Sequence, residues 1–325
     1  MNSLGVVDQV EIQVVVDNVT DSLSSIPAHA ESEIAYLDRH GMQELSGDAL
    51  CCACHGLSLL ITATRGDRKH TVLFDSGPEQ YAFERNCGRL SLDLGQVESV
   101  VLSHGHWDHA GGMLKALDLI RARNGGRTIP YYAHPGMFRS RARRMRNGEF
   151  KPMKDVPAIE ALTAHGASVE CIKEPRVLHD EMFYLSGEIP RVTPFERGLP
   201  GHYQKSEDGD WQPDPLLIDE RFLMVNVAGK GLVVFTACSH SGVVNVLKHA
   251  CASVAGTPAF AVMGGFHLAG VNEEIIPQTV HAMAEFKLNT VAAGHCTGWR
   301  AVTALANALG EKALDPSVVG KRYTF

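Results

Sequence analysis

Long apolar runs are the first feature that this sequence lacks. No stretch approaches the roughly 20 consecutive apolar residues that a membrane-spanning helix needs. Residues 1–10 contain the acidic Asp8 and no long apolar segment of the kind found in a secretory signal. We therefore predict a cytoplasmic protein without a membrane partner.

An excess of positive charge is also absent. The chain has 30 lysine and arginine residues against 37 aspartate and glutamate residues, which gives a net charge of −7. Nucleic-acid-binding domains usually carry the opposite balance, because the phosphate backbone attracts positive charge. The composition therefore favours a protein that has no nucleic-acid partner.

A disulfide framework is missing as well. Eight cysteines are scattered over 325 residues. Cys51, Cys52 and Cys54 stand close together ahead of His55, and Cys-x-Cys-His could form a soft metal site. No second cysteine pair is spaced to complete a zinc knuckle, so we favour buried free thiols here.

What the chain does contain is Ser-His-Gly-His-Trp-Asp-His-Ala-Gly-Gly at residues 103–112. A β-branched, apolar run over 97–102 predicts a buried strand in front of this motif. Apolar residues at helical spacing after Gly112 predict a helix behind it. The polar side chains of the motif should therefore converge at a tight turn between the two elements.

Three imidazoles and one carboxylate fall within six residues of this motif: His104, His106, Asp108 and His109. Holding them together without a cation is costly, because donors, acceptors and charge crowd into a small volume. Neutral imidazole and carboxylate are good ligands for zinc and for harder first-row metals. We therefore predict a divalent metal site.

Later predicted strands each deliver a histidine just beyond the carboxyl end: His240, His267 and His295. Open α/β layers collect functional sites at strand ends, so these imidazoles are candidates for the same site. A strand predicted over 71–74 ends at Asp75. That carboxylate could cap its own turn or orient a metal ligand or a metal-bound water.

Two further features of the sequence are less specific for one function. Five arginines within residues 139–146 predict a local basic helix. Such a run is usually a solvated face, and the alternative is a cradle for a phosphate or carboxylate. His134 follows a predicted strand without a second ligand nearby, which indicates a turn residue.

Two segments have mixed polarity and little core potential. Residues 19–50 predict a long loop with one short helix near 31–39. Residues 187–215 are rich in glycine, proline and charge, and they could fold over the site as a flap or remain an ordinary loop.

The His-x-His-x-Asp-His motif resembles the signature of the metallo-β-lactamase superfamily. The resemblance implies an α/β fold, the αββα sandwich, in which two mixed β-sheets pack face to face with helices outside. It implies one domain over residues 1–325, with inserted loops at about 19–50 and 187–215. It also implies one or two divalent metal ions, zinc first, with manganese or iron as alternatives.

The ligand roles follow from the same resemblance. In that family the first two histidines bind one metal, and the aspartate and the following histidine bind the other. His104 and His106 would thus bind the first metal, and Asp108 and His109 the second. Asp75 would lie beneath the site and hydrogen-bond the ligands.

Further motifs are similar to one branch, the dihydropterin-ribofuranosylaminobenzene-phosphate synthase-like metallo-hydrolases. They are His-Gly-Leu-Ser at 55–58, Gly-Glu-Ile-Pro-Arg at 187–191, Cys-Ser-His at 238–240, Gly-Gly-Phe-His-Leu at 264–268 and His-Cys-Thr-Gly at 295–298.

Many superfamily members bridge their two metals with an aspartate, where this chain has Ala-Cys-Ser-His at 237–240. We infer that His240 supplies a metal ligand there and that no aspartate bridge exists. His295 is the candidate for the last ligand of the second metal. His267 could also be a ligand, but we favour an imidazole that faces the substrate or supports a ligand. The expected ligation is rich in histidine and free of thiolate.

We expect a metal-dependent hydrolase in which a metal-bound hydroxide attacks a small ester, lactone, amide or phosphoester. Asp108 would orient the water, and the second metal or His267 would stabilise the developing oxyanion. Two alternatives stay open: a pterin- or phosphoribosyl-type synthase or transferase, and a metal-retaining binding or sensor protein. The expected partner is a small molecule. If that molecule is anionic, the arginine run would suit it. A homodimer also stays open.

Overall fold

The structure, a computed structural model, describes residues 4–325. Two large mixed β-sheets pack face to face, and helices cover the outer face of each. This αββα layering confirms the predicted α/β fold class.

The first large sheet has eight strands, numbered along the chain: β2 (Gln9–Val16), β3 (Ala30–Glu31), β4 (Ser58–Arg65), β5 (Arg68–Phe74), β6 (Val97–Val101), β7 (Ile129–Ala133), β10 (Ala167–Cys171) and β19 (Arg322–Thr324). Their spatial order is β10-β7-β6-β5-β4-β2-β19-β3. The strands β5, β6, β7 and β10 are parallel, and the remaining pairs are antiparallel.

The second large sheet has seven strands: β1 (Val6–Val7), β11 (Arg176–Leu178), β12 (Phe183–Leu185), β15 (Leu223–Val227), β16 (Gly231–Thr236), β17 (Ala259–Gly265) and β18 (Thr290–Gly294). Their order is β11-β12-β15-β16-β17-β18, and β1 pairs with β15. The last three strands are parallel.

Eight α-helices connect and cover the sheets: α1 (Glu33–Arg39), α2 (Gln80–Arg89), α3 (Trp107–Ala110), α4 (Met113–Arg123), α5 (Ile159–Ala164), α6 (Val243–Ser253), α7 (Ile276–Ala284) and α8 (Trp299–Leu309). Among the described residues, none of these helices combines the length and the apolarity needed to cross a bilayer.

Strand β16 shows why the two layers form. Its six residues are all buried, because both of its faces are covered. Val233 and Phe235 point into the apolar layer between the sheets, whereas Leu232 and Val234 pack under the outer helices. This alternation follows from the two-residue period of a strand.

The parallel strands bring the predicted site residues to one edge. Strands β5 and β6 end at Asp75 and at the 103–112 motif, and β16, β17 and β18 end at the later histidines. The parallel strands of each sheet end on the same side, and side-chain contacts join the loops of the two sheets. The edge therefore collects polar groups from both layers.

A third, small sheet was not predicted. It consists of β8 (Arg141–Arg144), β9 (Phe150–Pro152), β13 (His202–Lys205) and β14 (Trp211–Pro213), in the order β14-β13-β8-β9. Part of the segment 187–215, expected to be a loop, therefore forms two strands.

The helix predicted for the arginine run is wrong. Residues 141–144 form a strand that pairs with His202–Lys205. Arg141 is also buried rather than solvated, and its guanidinium contacts the Asp219 carboxylate at 2.7 Å. The run alternates arginine with small residues from position 139 to 143, and this period of two is typical of a strand.

The segment 19–50 matches its prediction more closely. It contains the short helix α1, predicted near 31–39, and the two-residue strand β3, which joins the edge of the first sheet. Ser32 caps the helix by accepting the backbone N–H of Ala35 at 3.2 Å.

Arg221 is the largest side chain that is completely buried. Its guanidinium donates to the backbone carbonyls of Ser186, Ile172 and Glu174 at distances of 2.7 to 3.0 Å. It therefore satisfies three carbonyls that no strand ladder reaches.

We predict that Arg221→Met lowers the free energy of unfolding by about 3 kcal/mol, because one buried carbonyl and two half-buried carbonyls lose their donors. Urea unfolding followed by circular dichroism measures the change. The control is Arg143→Met, a change at an exposed position of β8, which should stay within about 0.5 kcal/mol of wild type. Equal effects of the two substitutions would contradict the role of Arg221.

Candidate metal centre

Asp75 is completely buried beneath the centre. Its Oδ1 accepts the backbone N–H of Ser103 at 2.8 Å, and its Oδ2 accepts the Ser103 hydroxyl and the Nδ1–H of His109, each at 2.7 Å. Because a carboxylate only accepts, His109 carries a proton on Nδ1, and Nε2 is the nitrogen that can bind a metal once it has lost its own proton. Asp75 lies where the resemblance places it and orients this ring.

The same carboxylate sets the tautomer of His104 through Ser103. The Ser103 hydroxyl has one proton, which it donates to Asp75. It therefore accepts the Nδ1–H of His104 at 2.9 Å. Nε2 of His104 is left as an acceptor.

A second chain of hydrogen bonds sets the tautomer of His106. Nδ1–H of His202 donates to the backbone carbonyl of Asp214 at 2.8 Å, so Nε2 of His202 accepts. This nitrogen lies 3.0 Å from Nε2 of His106, which must therefore donate. Nδ1 of His106 is left as an acceptor, and metal-binding histidines commonly use their second nitrogen in this way.

Two acceptor nitrogens thus face each other. Nε2 of His104 and Nδ1 of His106 are 3.0 Å apart in a buried setting, where two lone pairs repel unless a cation accepts both. His240 completes the group, with its ring 4.8 Å from His104 and 5.0 Å from His106. Neither nitrogen of buried His240 has a hydrogen-bond partner. These three residues fit a metal ion.

A second group surrounds the Asp108 carboxylate. Its Oδ2 lies 3.5 Å from Nε2 of His295, 3.9 Å from Nε2 of His109 and 3.5 Å from Nε2 of His55. Nδ1 of His295 lies 3.0 Å from the Asn18 side-chain oxygen and therefore donates, so its Nε2 is a free acceptor. Asp108 and His295 are buried, whereas His55 is exposed at the rim.

Burial keeps most of these rings neutral, which is the form that binds metals. It lowers the pKa of four imidazoles well below the ordinary value: His104, His106, His240 and His295. Burial also opposes the charged form of His109, but the carboxylates of Asp108 and Asp75 outweigh it and raise the pKa of His109 to about 9. A proton on His109 offsets these carboxylates, and a divalent cation could take over that role.

Three consecutive residues hold the two ligand loops together. Asp219 accepts a backbone N–H from residues 103–105 at 2.9 Å, and the Arg221 N–H donates to a carbonyl of the same loop at 2.8 Å. Between them, Glu220 accepts the backbone N–H groups of residues 240–241 at 2.7 and 2.6 Å. The segment thus fixes loops from both sheets.

Left-handed backbone conformations occur at several of these strand ends. The φ angles are 61° at Asp75, 55° at Ser239, 42° at His267 and 46° at His295. Residues other than glycine rarely adopt such angles, and they persist where surrounding contacts impose them, often at functional sites. The chain therefore turns sharply where each of these loops presents its polar side chains.

His267, predicted to be catalytic, lies beside the first group. Its ring centre is 4.4 Å from that of His240, it is half-buried, and its Nδ1 has no partner. A narrow groove of only about 10 Å³, room for about one water molecule, borders both rings and is lined by Arg197, Gly198 and Asn272, among others. Two of these come from the predicted flap, so segment 187–215 does lie over the centre.

The thiol-free donor set stays a prediction, and two thiols lie beside the predicted ligands. Sγ of Cys238 lies 3.2 Å from Nε2 of His109, and Sγ of Cys296 lies 3.4 Å from Sγ of Cys238. Both cysteines belong to motifs quoted from the sequence, Cys-Ser-His and His-Cys-Thr-Gly. The motifs named both positions, but only their histidines were given a role in the predicted site.

Sequence reasoning also missed His202 and gave no role to His55. His202 stands in a segment rich in glycine and proline, and no spacing relates it to the 103–112 motif. His55 begins the His-Gly-Leu-Ser motif, which was the available signal.

The remaining predictions concern residues outside the centre. His134 accepts the backbone N–H of Gly136 at 3.0 Å and caps a short helical turn, which confirms its reading as a turn residue. Of the three thiols predicted to be buried, Cys51 is buried, whereas Cys52 and Cys54 are half-buried, and none of the three forms a disulfide.

Comparison with known proteins places this architecture. The chain is 30% identical over 254 residues to 7,8-dihydropterin-6-methyl-4-(beta-D-ribofuranosyl)-aminobenzene-5'-phosphate synthase of Methanocaldococcus jannaschii. The aligned region covers 76% of this chain and 82% of that protein. Residues 53–166 match the family described as the metallo-beta-lactamase superfamily. The chain belongs to this superfamily. Within the superfamily, its similarity to that protein confirms the predicted branch.

Two further relatives agree. An uncharacterized protein of the same organism is 31% identical over 260 residues, or 78% of this chain and 88% of that protein. Among solved structures, Tm1679, a metal-dependent hydrolase of the beta-lactamase superfamily, aligns over 96% of this chain and 98% of its own with a TM-score of 0.69. At 23% identity, this last likeness shows the shared metallo-β-lactamase fold.

A buried carboxyl next to the centre makes stability depend on pH. Asp17 is fully buried, and burial raises its pKa from 3.8 to about 7, although the N–H groups of His295 and Asn18 oppose the shift. In the unfolded chain this carboxyl loses its proton near its ordinary pKa of 3.8, whereas in the folded protein it stays protonated up to about pH 7. A rise in pH over this range therefore favours the unfolded chain and lowers the free energy of unfolding.

We predict that Asp17→Asn removes this loss. The stability of the variant relative to wild type should rise between pH 4 and pH 7, by on the order of 1.4 kcal/mol for each pH unit. Urea unfolding over this range, with a chelator present throughout, measures the difference. A difference that stays constant with pH would contradict the buried carboxyl as its source.

Proposed function

We propose that this protein is a metal-dependent hydrolase of a small organic substrate, such as an ester, lactone, amide or phosphoester. The observation that carries the proposal is the pair of facing acceptor nitrogens on His104 and His106, 3.0 Å apart. Hydrogen bonds on the far side of each ring set both tautomers, so a cation is the partner that satisfies them.

The residues that would hold the cations form two groups. His104, His106 and His240 would hold the first, and Asp108, His109 and His295 would hold the second. Imidazole and carboxylate favour zinc, with manganese or iron as alternatives. When bound, such cations act as Lewis acids and make water more acidic, which allows hydrolysis near neutral pH.

The side chains then have distinct tasks. The Asp108 carboxylate lies at the meeting point of three imidazoles, and one of them, His55, borders solvent. The Asp108 carboxylate can therefore orient a water molecule that enters at this rim and accept a proton from that water. His267 lines the groove beside His240, and its imidazole is the candidate for a hydrogen bond with a substrate oxygen.

We predict that Asp108→Asn lowers kcat/KM at least about 100-fold, because it removes a charged ligand and the group that orients water. The assay uses purified protein with added zinc or manganese and a panel of esters, lactones and phosphodiesters. A chelator should abolish turnover, and restored metal should recover it.

The matched control is Asp38→Asn, the same change on an exposed face of α1, which should leave turnover unchanged. Undiminished hydrolysis by Asp108→Asn would overturn the assignment. Product analysis also decides whether bonds are broken by water.

A synthase or transferase is the second candidate, because the relative at 30% identity bears a synthase name. The exposed arginines of β8 support this alternative, since guanidinium groups bind phosphates well. Incubation with a phosphoribosyl donor and an aromatic acceptor separates the two reactions. A joined product supports the synthase, and water-derived products alone support the hydrolase.

His202 provides a test of the centre that does not depend on the substrate. We predict that His202→Ala weakens zinc affinity about 10- to 100-fold, because His106 loses the group that fixes its tautomer. Competition with a chromophoric chelator measures the affinity. The control is His281→Ala on the exposed face of α7. Unchanged affinity in His202→Ala would contradict the hydrogen-bond chain.

A further inference from the structure

The small third sheet consists of two hairpins of the same design. The first, β8–β9, spans residues 141–152, and the second, β13–β14, spans residues 202–213. Each hairpin pairs three residues of one strand with three of the other, across a turn of the same length. Each turn contains a glycine at the equivalent position, Gly148 with a φ of 87° and Gly209 with a φ of 90°. The two hairpins therefore correspond residue by residue.

These hairpins are related by a local two-fold axis. Strands β8 and β13 run antiparallel side by side, and Ala142 pairs with Tyr203. Each of these two residues is the second residue of its own hairpin. The axis therefore passes between them, perpendicular to the sheet, and it places the two turns at opposite ends of the sheet.

The two turns carry opposite charge. We call residues 143–149 the basic turn and residues 204–210 the acidic turn. The basic turn has three arginines against one glutamate, and the acidic turn has three acidic residues against one lysine. All of these charged side chains are exposed. The sheet is therefore symmetric in its backbone and opposite in charge at its two ends.

One face of this sheet carries three aromatic rings that contact each other. The ring centre of Phe150 lies 4.8 Å from that of Tyr203 and 5.9 Å from that of Trp211. Phe150 is 36% exposed, and the other two rings are half-buried. Neighbouring residues of a strand point to opposite faces, so His202 lies on the other face. The aromatic face is thus turned away from the hydrogen bond between His202 and His106.

Exposed aromatic clusters mark contact surfaces, and the charge of the turns decides which partner fits this one. A nucleic acid or another polyanion is attracted by the basic turn but repelled by the acidic turn, and the net charge of −7 adds to that repulsion. A uniformly basic partner is repelled by the basic turn. A partner that carries both charges in the opposite order fits, and a second copy of this chain supplies that order.

We propose that the aromatic face of the third sheet joins two copies of this chain in a two-fold symmetric dimer. The basic turn of each copy lies against the acidic turn of the other, and the aromatic rings of the two copies pack between the turns. Such a contact is isologous, so both pairs of turns form at once.

The size of this contact sets its strength. The sheet has only four short strands, so the contact is at the small end of specific interfaces, and the dimer should dissociate on dilution. The dimer uses the face opposite to His202 and does not depend on the proposed metal centre.

Sedimentation velocity over about a 100-fold range of protein concentration, up to about 0.5 mM, tests the proposal. Wild type should change from monomer to dimer over this range. High salt should weaken the dimer, because the turns attract each other through charge. This measurement needs no variant, and a wild type that stays monomeric throughout would overturn the proposal.

Two charge reversals test the pairing of the turns. Arg144→Glu with Arg146→Glu gives a variant with two acidic turns, and Glu207→Lys with Asp208→Lys gives a variant with two basic turns. Each variant alone should dimerise at least about tenfold more weakly than wild type, because like charges then face each other at both ends. An equimolar mixture should form a heterodimer about as strongly as wild type forms its homodimer. This recovery also shows that both variants are folded.

The matched control is Arg121→Glu with Arg123→Glu, the same change of charge at exposed positions of α4, which should leave the dimer unchanged. Phe150→Ser removes an exposed ring without changing the charge. It should weaken the dimer at low and at high salt, because it acts on the apolar part of the contact.

The outcomes decide what occupies this face. A wild-type dimer that both charge reversals leave intact places the interface elsewhere and overturns the proposal, as does a mixture of the two variants that stays monomeric. A monomeric wild type that binds an RNA oligonucleotide or inorganic phosphate at the basic turn assigns the face to an anion and also overturns it. Zinc affinity should be the same in all of these variants, so a failed dimer leaves the proposed metal centre standing.

Discussion

Buried lone pairs that face one another are the constraint on which the centre depends. Nε2 of His104 and Nδ1 of His106 are 3.0 Å apart, and neither ring is free to turn away. Ser103, itself bound to Asp75, holds the first ring, and His202 holds the second. These supports keep the acceptors in place, so their repulsion is relieved by a bound cation rather than by rearrangement.

The sandwich supplies the rigidity that this arrangement requires. One set of proposed ligands follows a strand of the first sheet, and the other follows strands of the second, so their separation depends on how the two sheets pack. The apolar layer between the sheets sets that distance, and close-packed interiors resist small changes. Residues 219–221 add a polar tie between the loops at the edge itself.

The sequence is informative where structure is local. An apolar run followed by polar residues marks a strand end, so Asp75, His240 and His295 could be placed at one edge before the fold was known. The small third sheet is not local, because β8 pairs with a strand about 60 residues further along. His202 reaches the centre through that pairing, and no nearby pattern predicts it.

The position of His202 also links two parts of the protein that the fold keeps otherwise separate. The proposed ligands follow strands of the sandwich, whereas residues 196–198 of the segment over the centre border the groove. The same segment carries His202, which hydrogen-bonds His106. A substrate that displaces this segment therefore also acts on the orientation of a proposed ligand. Substitutions in segment 187–215 can thus change substrate recognition without disturbing the centre only if they preserve the hydrogen bond between His202 and His106.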